Sequence, residues 1–285
     1  MKCAFGTSTF RTVALNEAIE AIARGGFTAV ELMADRPHAF PEDVKAAQVA
    51  TMNECMERRK VKIINLNASC STALGTRNHP SWLEEDWKAR ETRIRYTLDA
   101  LRLASAMGIP TVTTQGGGPI PETMSQTEAW RLFVANMERA LPLARKLGIT
   151  LLIQAEPGFL LEQPDKVLAF LDELKFDERL RVDFNVGHFY CAGVDPCDAW
   201  ELLKKYTAHI HIADVPVDRK QHHVQLGEGS IDLGKLLKSV DTEDYQGYVS
   251  IKMDVYDQEP GELVCGAVGY LHRNGYLAKL PEGCV

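Results

Sequence analysis

Four polar residues stand at matching places in this sequence, each at the end of a run of apolar and β-branched residues. They are Gln154 in LLIQAEPG, Asn185 in RVDFNVGH, His211 in HIHIAD and Lys252 in VSIKMD. Amides, an imidazole and an ammonium can together bind an oxygen-rich ligand, and the last two can also transfer protons. Because the four residues are far apart in sequence, the fold must bring them together. A barrel of parallel strands does this, since the C-terminal ends of its strands meet at one rim.

The elements that would position these residues repeat one pattern, in which a helical segment ends at glycine and a β-rich run follows at once. Examples are RGGFTAVEL, AMGIPTVTT and KLGITLLIQ, where glycine supplies the left-handed turn that ends a helix. We predict strands near residues 3–7, 29–33, 61–66, 111–114, 150–154, 180–184, 208–213 and 248–253. We predict helices over 14–24, 42–59, 84–107, 126–147, 165–174, 197–205, 232–240 and 261–278.

Eight alternations of strand and helix without a Pro/Gly/Ser-rich linker favour a single (β/α)8 TIM barrel spanning residues 1–285. Three predicted connections are long, namely 67–83, 115–124 and 214–231. All three follow strands, so they should lie at the catalytic rim of the barrel, where long loops often carry function.

Composition excludes several classes of protein. The net charge of −7 argues against nucleic acid as a partner, because binding a phosphate backbone needs clustered Lys and Arg. No run of about 18 apolar residues and no leader-like N-terminus occurs, so we expect a cytoplasmic protein without a membrane partner. Seven cysteines without CxxC spacing predict reduced thiols rather than disulfides or a zinc cluster.

The segments ELMADRPHAFP, INLNAS, AEPG, DFNVGH, HIHIAD and HHVQLGEGSID resemble the xylose-isomerase-like TIM-barrel family. This family contains sugar phosphate isomerases and epimerases and is related to the type IV endonucleases, and the resemblance covers nearly the whole chain. It implies that Glu, Asp, His and Glu at the ends of strands 5 to 8 bind a divalent metal that assists proton transfer between neighbouring carbons. In this sequence the four positions hold Gln154, Asn185, His211 and Lys252.

Three of these four residues are poor metal ligands, since amides are neutral and an ammonium repels a cation. We therefore expect no metal at the usual site and no other cofactor, with Lys252 as a built-in cation that donates hydrogen bonds to the amide oxygens of Gln154 and Asn185. Lys252 could then act as a base or as an imine-forming nucleophile. A site that has lost its chemistry, with the same residues forming a satisfied hydrogen-bond network, is the alternative.

A displaced metal site is a further possibility, because strand residues two apart point the same way. Glu156 lies two residues beyond Gln154, and Asp254 lies two beyond Lys252. With His188 and His223 as nitrogen ligands, these carboxylates could bind Mn, Zn, Co or Mg one step nearer the rim. Asp183, two residues before Asn185, should instead point deeper, as a buried and hydrogen-bonded carboxylate.

Other rim residues are candidates for substrate binding. Gln115 opens TQGGGP, where glycines let the backbone approach a ligand; Asn67 follows strand 3, where an Asx turn is the alternative; and Glu31 ends strand 2. With Gln154, Asn185, His188 and His223, they form the predicted contacts to a small anionic or polyhydroxylated substrate. The sequence is also compatible with a homo-oligomer.

The predicted function is that of an isomerase- or epimerase-like enzyme that transfers protons without the family's usual metal, using Lys252, His211 and Glu156. One alternative is a non-catalytic protein of the same fold that binds a ligand or a partner. Another is a metal-dependent isomerase or epimerase with a displaced metal site.

Overall fold

The computed structural model describes residues 1–69, 71–253, 259–277, 280, 281 and 284, and it is a closed barrel of eight strands. Each strand pairs in parallel with its neighbours in chain order, and β1 closes the barrel against β8. The strands are β1 (Lys2–Gly6), β2 (Ala29–Met33), β3 (Lys62–Asn67), β4 (Thr111–Gln115), β5 (Thr150–Gln154), β6 (Leu180–Asn185), β7 (Thr207–Ile212) and β8 (Tyr248–Ile251). The predicted (β/α)8 fold is confirmed.

Helices follow the strands and surround the barrel. They are α1 (Leu15–Arg24), α2 (Ala46–Arg59), α3 (Trp87–Met107), α4 (Gln126–Leu147), α5 (Pro164–Glu173), α6 (Val186–Cys191), α7 (Pro196–Leu203), α8 (Leu233–Thr242) and α9 (Pro260–Arg273). Short 3-10 turns over Thr7–Phe10 and Lys204–Tyr206 complete the described elements. The sequence pattern did not predict α6, whose six residues are too few to show a helical period.

Glycines end two of the long helices as predicted. Gly108 and Gly148 have φ angles of 68° and 70°, and each donates its N–H to carbonyls of the preceding helical turn. These left-handed residues turn the chain from α3 into β4 and from α4 into β5, which is the role that glycine plays at helix ends.

The hydrophobic core lies between the barrel and its helices. Phe133 of α4 stacks on Phe170 of α5 with ring centroids 4.5 Å apart, and Trp200 of α7 packs edge-on against Phe184 of β6. All four side chains are buried. Because strand side chains alternate between the two faces, residues that do not face this outer core point into the barrel.

Strand register places polar residues at similar heights inside the barrel. Gln154 pairs with Asp183, Asp183 pairs with His209, and Asn185 pairs with His211. Paired residues on neighbouring strands point to the same side of a sheet. The polar interior near the C-terminal ends of the strands is therefore the place to look for a site.

Two of the described cysteines are joined in a disulfide. Cys265 of α9 forms a disulfide with Cys284, with Cα atoms 5.0 Å apart, so the prediction that all seven cysteines are reduced is wrong for this pair. Residues 19 apart in sequence return to contact only through the tertiary fold, which CxxC spacing cannot reveal.

Within the described ranges, every helix is too short or too polar to cross a bilayer.

Candidate functional site

Three of the four strand-end residues form one hydrogen-bonded chain. The side-chain amide of Asn185 donates to Gln154 Oε1 at 3.2 Å, and the same oxygen lies 2.9 Å from His211 Nδ1. Asn185 Oδ1 accepts the backbone N–H of His188 at 3.1 Å, which caps α6. Gln154 Oε1 thus contacts both the Asn185 amide and His211, and Asn185 Oδ1 accepts the capping N–H.

Lys252 does not join this chain as expected. Its backbone N–H donates to Ile212 O at 3.0 Å and extends the pairing of β7 with β8 by one residue. Among the described residues, Lys252 Nζ has no hydrogen bond or ion pair, although the side chain is 5% exposed. The predicted hydrogen bonds from its ammonium to Gln154 and Asn185 are therefore wrong, and Gln154 Oε1 is already engaged by Asn185 and His211.

A second cluster lies deeper in the barrel and consists of Glu31, His209 and His211. Glu31 Oε2 is 3.0 Å from His209 Nε2 and 2.5 Å from His211 Nε2. Within the described part of the chain, these residues form the group of three ligand-type side chains whose donor atoms all lie within 4.8 Å of one another. All three are buried.

Hydrogen bonding from other strands fixes the Glu31 carboxylate. Asn65 Nδ2 donates to Glu31 Oε2 at 2.9 Å, and Asn67 Nδ2 donates to Glu31 Oε1 at 2.8 Å. Asn67 Oδ1 also accepts the backbone N–H and the hydroxyl of Ser69, so the Asx-type turn anticipated at this residue is present. Asn67 supports Glu31 in the structure.

The tautomer of His211 follows from its neighbours. Nδ1 faces two acceptors, Gln154 Oε1 at 2.9 Å and Asp183 Oδ1 at 3.1 Å, so this nitrogen carries a hydrogen. Nε2 then directs a lone pair at Glu31 Oε2, which is also an acceptor. A proton or a metal ion between these atoms is required to make the contact favourable.

The donor set fits a divalent transition metal. Metal bonds of about 2.0–2.2 Å place two donor atoms on one ion about 3 Å apart, close to the 3.0 Å between Glu31 Oε2 and His209 Nε2. His209 Nε2 is also buried, and it makes no hydrogen bond of good geometry with any described residue. Two imidazoles and one carboxylate form a ligand set that zinc and related ions accept.

Asp183 occupies the position that a supporting carboxylate takes in metal sites. Its Oδ2 accepts the Thr113 hydroxyl at 2.7 Å, while Oδ1 faces His211 Nδ1. Histidine ligands commonly donate their second ring N–H to a carboxylate, which fixes the ring and increases its basicity. The prediction that Asp183 is a buried, hydrogen-bonded barrel carboxylate is confirmed.

The electrostatics of the cluster favour charge separation. Burial alone would raise the pKa of Glu31, but the charge of His211 and the proximity of His209 hold this pKa well below its usual range. Burial alone would lower the pKa of His209, yet the carboxylates of Glu31 and Asp183 raise it. Burial raises the pKa of Asp183 despite the nearby imidazoles. Glu31 is therefore the more acidic of the two carboxyl groups.

These contacts overturn the prediction that the barrel lacks a metal cofactor. That prediction rested on the replacement of carboxylates at Gln154, Asn185 and Lys252. The structure brings together a different ligand-type set, in which Glu31 and His209 join His211. A degenerate metal site is therefore not an adequate description of this barrel.

The displaced set predicted nearer the rim is not assembled as a ligand group in the described residues. Glu156 and His188 are both buried, and His188 Nδ1 donates to Ala155 O at 2.8 Å. His223 is half-buried in the long connection after β7. These three side chains do not bring three donor atoms together among the residues described, and Asp254 lies outside them.

Two other rim residues have contrasting surroundings. Both side-chain amide atoms of Gln115 are buried without a hydrogen-bond partner in the described chain. Burial, more than any other influence, holds the pKa of His188 well below its usual range, and the positive charges of Lys252 and Arg77 lower it further. Gln115 thus offers an unused donor and acceptor, and His188 is a neutral imidazole.

Sequence reasoning named Glu31 and His211 but missed His209. The alternation in HIHI offered a signal, because residues two apart on a strand point the same way. Nothing in the sequence indicated that His209 contacts Glu31, since β2 and β7 are not neighbours in the barrel.

Curated relatives match this chain at low identity. Fructoselysine 3-epimerase of Escherichia coli O157:H7 is 21% identical over 273 residues, which cover 91% of this chain and 93% of the relative. Inosose dehydratase of Clostridium perfringens is 23% identical over 146 residues. That second match spans 45% of this chain and about half of the relative, 48% of its length.

Solved structures share the fold at still lower identity. A D-tagatose 3-epimerase-like protein superposes with a TM-score of 0.80 at 19% identity, covering 96% of this chain and 97% of its own. The IolI protein, solved with a bound zinc atom, has a TM-score of 0.80 at 16% identity and covers 98% of this chain and 100% of its own. The model of the xylose isomerase-like TIM barrel family matches residues 19–268, and the chain belongs to this family.

Proposed function

We propose that this chain is a metal-dependent enzyme of the isomerase and epimerase type, acting on a small polyhydroxylated substrate. One observation carries the proposal: two imidazole nitrogens and a carboxylate oxygen converge inside the barrel at Glu31, His209 and His211. Relatives named as an epimerase and a dehydratase support the class of reaction, and the zinc bound by IolI supports the metal.

The residues of this chain would hold the ion in a fixed orientation. Glu31 is held by Asn65 and Asn67, while His211 is oriented through Nδ1 by Gln154 and Asp183. A bound divalent ion would polarise a carbonyl or hydroxyl oxygen of the substrate and so acidify the neighbouring C–H. His211, which the sequence predicts to transfer protons, is therefore assigned as a ligand.

Glu156 is the residue we assign to proton transfer. Four other buried carboxylates in the described chain have different roles, because Glu31 and Asp183 face imidazoles and Asp35 and Asp214 accept hydrogen bonds from loop groups. Glu156 follows β5 at the rim and is 4% exposed. A carboxylate at this place can remove a proton from a carbon next to a carbonyl, a step that epimerisation, isomerisation and dehydration share.

Substrate hydroxyls would be bound by groups around the cluster. Gln115 provides one buried donor and one buried acceptor that no described residue uses. Asn185 lies on the rim side of Asp183 on β6, and His188 and His223 lie beyond it. A polyhydroxylated ligand fits such a set because each hydroxyl both donates and accepts.

Metal titration tests the ligand assignment independently of activity. Chelator-treated protein should bind one Mn²⁺ or Zn²⁺ in calorimetry, and Glu31→Gln and His209→Asn should each weaken binding at least tenfold. The matched controls Glu57→Gln and His222→Asn change exposed residues and should bind as the wild type does. Equal metal binding by all five proteins would refute the assignment.

Solvent exchange tests the chemistry even while the natural substrate is unidentified. Ketoses incubated with the metal-loaded protein in deuterated water should gain deuterium next to the carbonyl, as followed by proton NMR. Glu156→Gln should lose exchange by a factor of at least 100 while retaining the metal. Exchange at the wild-type rate in this variant would remove Glu156 from the reaction.

A further inference from the structure

Lys252 is the side chain whose surroundings the proposed function leaves unexplained. It is only 5% exposed, and within the described residues its ammonium has no counter-ion and no hydrogen bond. An uncompensated buried charge costs several kcal/mol, roughly, even after relaxation and water penetration. A ligand group of opposite charge would offset this cost.

The height of Lys252 in the barrel follows from the register of β8. Ser250 pairs with His211, so its side chain points into the barrel level with the Glu31, His209 and His211 cluster. Lys252 is two residues further along and points the same way, about 6.5 Å nearer the rim. A ligand that contacts the cluster with one end would place its other end beside Lys252.

Unused hydrogen-bonding groups lie on β8, in the turn after β1 and at the end of β4. Ser250 Oγ and Ser8 Oγ are buried without a partner in the described chain, as is the Gln115 amide. A Cβ atom built on Gly6 would lie 3.5 Å from Ser8 Oγ and 3.9 Å from Glu31 Oε1, so both atoms border the space beside Gly6. These groups are suited to hydroxyls of a ligand that also contacts Lys252.

Lys252 is close enough to His188 for its positive charge to act on that imidazole. The charges of Lys252, Arg77 and His223 all act on His188 in the direction that disfavours its protonation. No described carboxylate offsets Lys252 by an ion pair. An anionic group of a ligand bound beside Lys252 would balance this ammonium.

We propose that Lys252 binds a carboxylate of the substrate, so that the enzyme acts on sugar acids in preference to neutral sugars. This inference rests on the proposed function for the reaction and adds the substrate class. One carboxylate balances one buried ammonium, and a charge-assisted N–H···O bond would complete Lys252. Lys252, which the sequence predicts as a base or nucleophile, is thereby assigned as a residue that selects and positions the substrate.

Binding to matched acid and alcohol pairs tests the proposal. The probes are gluconate against glucitol and galactonate against galactitol, with affinities measured by calorimetry on the wild type in the presence of Mn²⁺. We expect at least one acid to bind tenfold or more tightly than its alcohol. Equal affinities within both pairs, or no binding of either acid, would overturn the proposal.

Two variants test whether the preference for the acid depends on Lys252. In Lys252→Met the preference for the acid should fall to about one, whereas Lys252→Arg, which keeps the positive charge, should retain most of it. Retention of the full preference by Lys252→Met would refute the role of Lys252. Glucose 6-phosphate forms a third arm, and tighter binding of this ester than of either acid, lost in Lys252→Met, would overturn the carboxylate in favour of a phosphate.

Metal binding separates this proposal from the proposed function. Lys252→Met should bind Mn²⁺ at least as well as the wild type does, because it removes a positive charge near the cluster. If the wild type prefers the acid through Lys252 but binds no metal, the substrate class stands and the metal-dependent reaction fails. If the wild type binds metal but shows no preference for the acid, the metal-dependent reaction stands and the proposed substrate class fails.

Discussion

Replacing Asp214 by asparagine should loosen the long connection after β7. Asp214 is fully buried, and its two oxygens accept four backbone N–H groups. Oδ1 accepts those of Val215 and Ile231 at 3.0 and 3.3 Å, and Oδ2 accepts those of Gly227 and Gly229 at 2.8 and 3.0 Å. In either rotamer the asparagine NH₂ would face two donors. Losing two hydrogen bonds to a charged acceptor, at about 1.5 kcal/mol each, gives about 3 kcal/mol.

The assay is urea unfolding combined with amide hydrogen exchange. Asp214→Asn should lower the free energy of unfolding by about 3 kcal/mol, and the amides of Gly227 and Gly229 should lose protection. Asp218→Asn is the control, because Asp218 is exposed and accepts one backbone bond, from Lys220. A loss below about 1 kcal/mol, with the glycine amides still protected, would refute this reasoning, since it is below the value of a single such bond.

Two further predictions concern pH and redox state. Burial lowers the pKa of His38 in the folded protein. Below about pH 6.5, the ordinary pKa of histidine, the unfolded chain therefore binds more protons than the folded one. The free energy of unfolding should fall as pH decreases from about 7 to about 5. His38→Gln should flatten this slope in urea titrations, and an unchanged slope would exclude His38 as a cause. The Cys265–Cys284 bond joins residues 19 apart in sequence, so Cys284→Ser should destabilise the oxidised protein by about 3 kcal/mol at most. Identical melting of wild type and variant without reductant would show that the bond contributes nothing.

The fold could be predicted because its signals are local. Apolar runs bounded by glycine gave strands within one or two residues of their observed ends, as with Thr150–Gln154 and Ala29–Met33. The positive φ angles at Gly108 and Gly148 are the reason that glycine marks these boundaries. Eight repeats of such a unit leave few alternatives to a closed barrel.

The site could be predicted only in part because its contacts join strands that are not neighbours. The ends of β5, β6 and β7 were correctly expected to meet, and Gln154, Asn185 and His211 do so. Glu31 was placed at the rim as a substrate contact, whereas its side chain reaches His209 and His211. Which long side chains meet inside a barrel depends on rotamers and register, and neither is visible in a linear pattern.

Metal content decides whether Glu31, His209 and His211 hold an ion. Wild-type protein and His209→Asn, both purified without chelator, would be compared by elemental mass spectrometry. We expect close to one transition-metal ion per wild-type chain and at least tenfold less metal in the variant. Wild-type protein that carries no metal, and takes up none on incubation with Mn²⁺, Co²⁺ or Zn²⁺, would contradict this expectation.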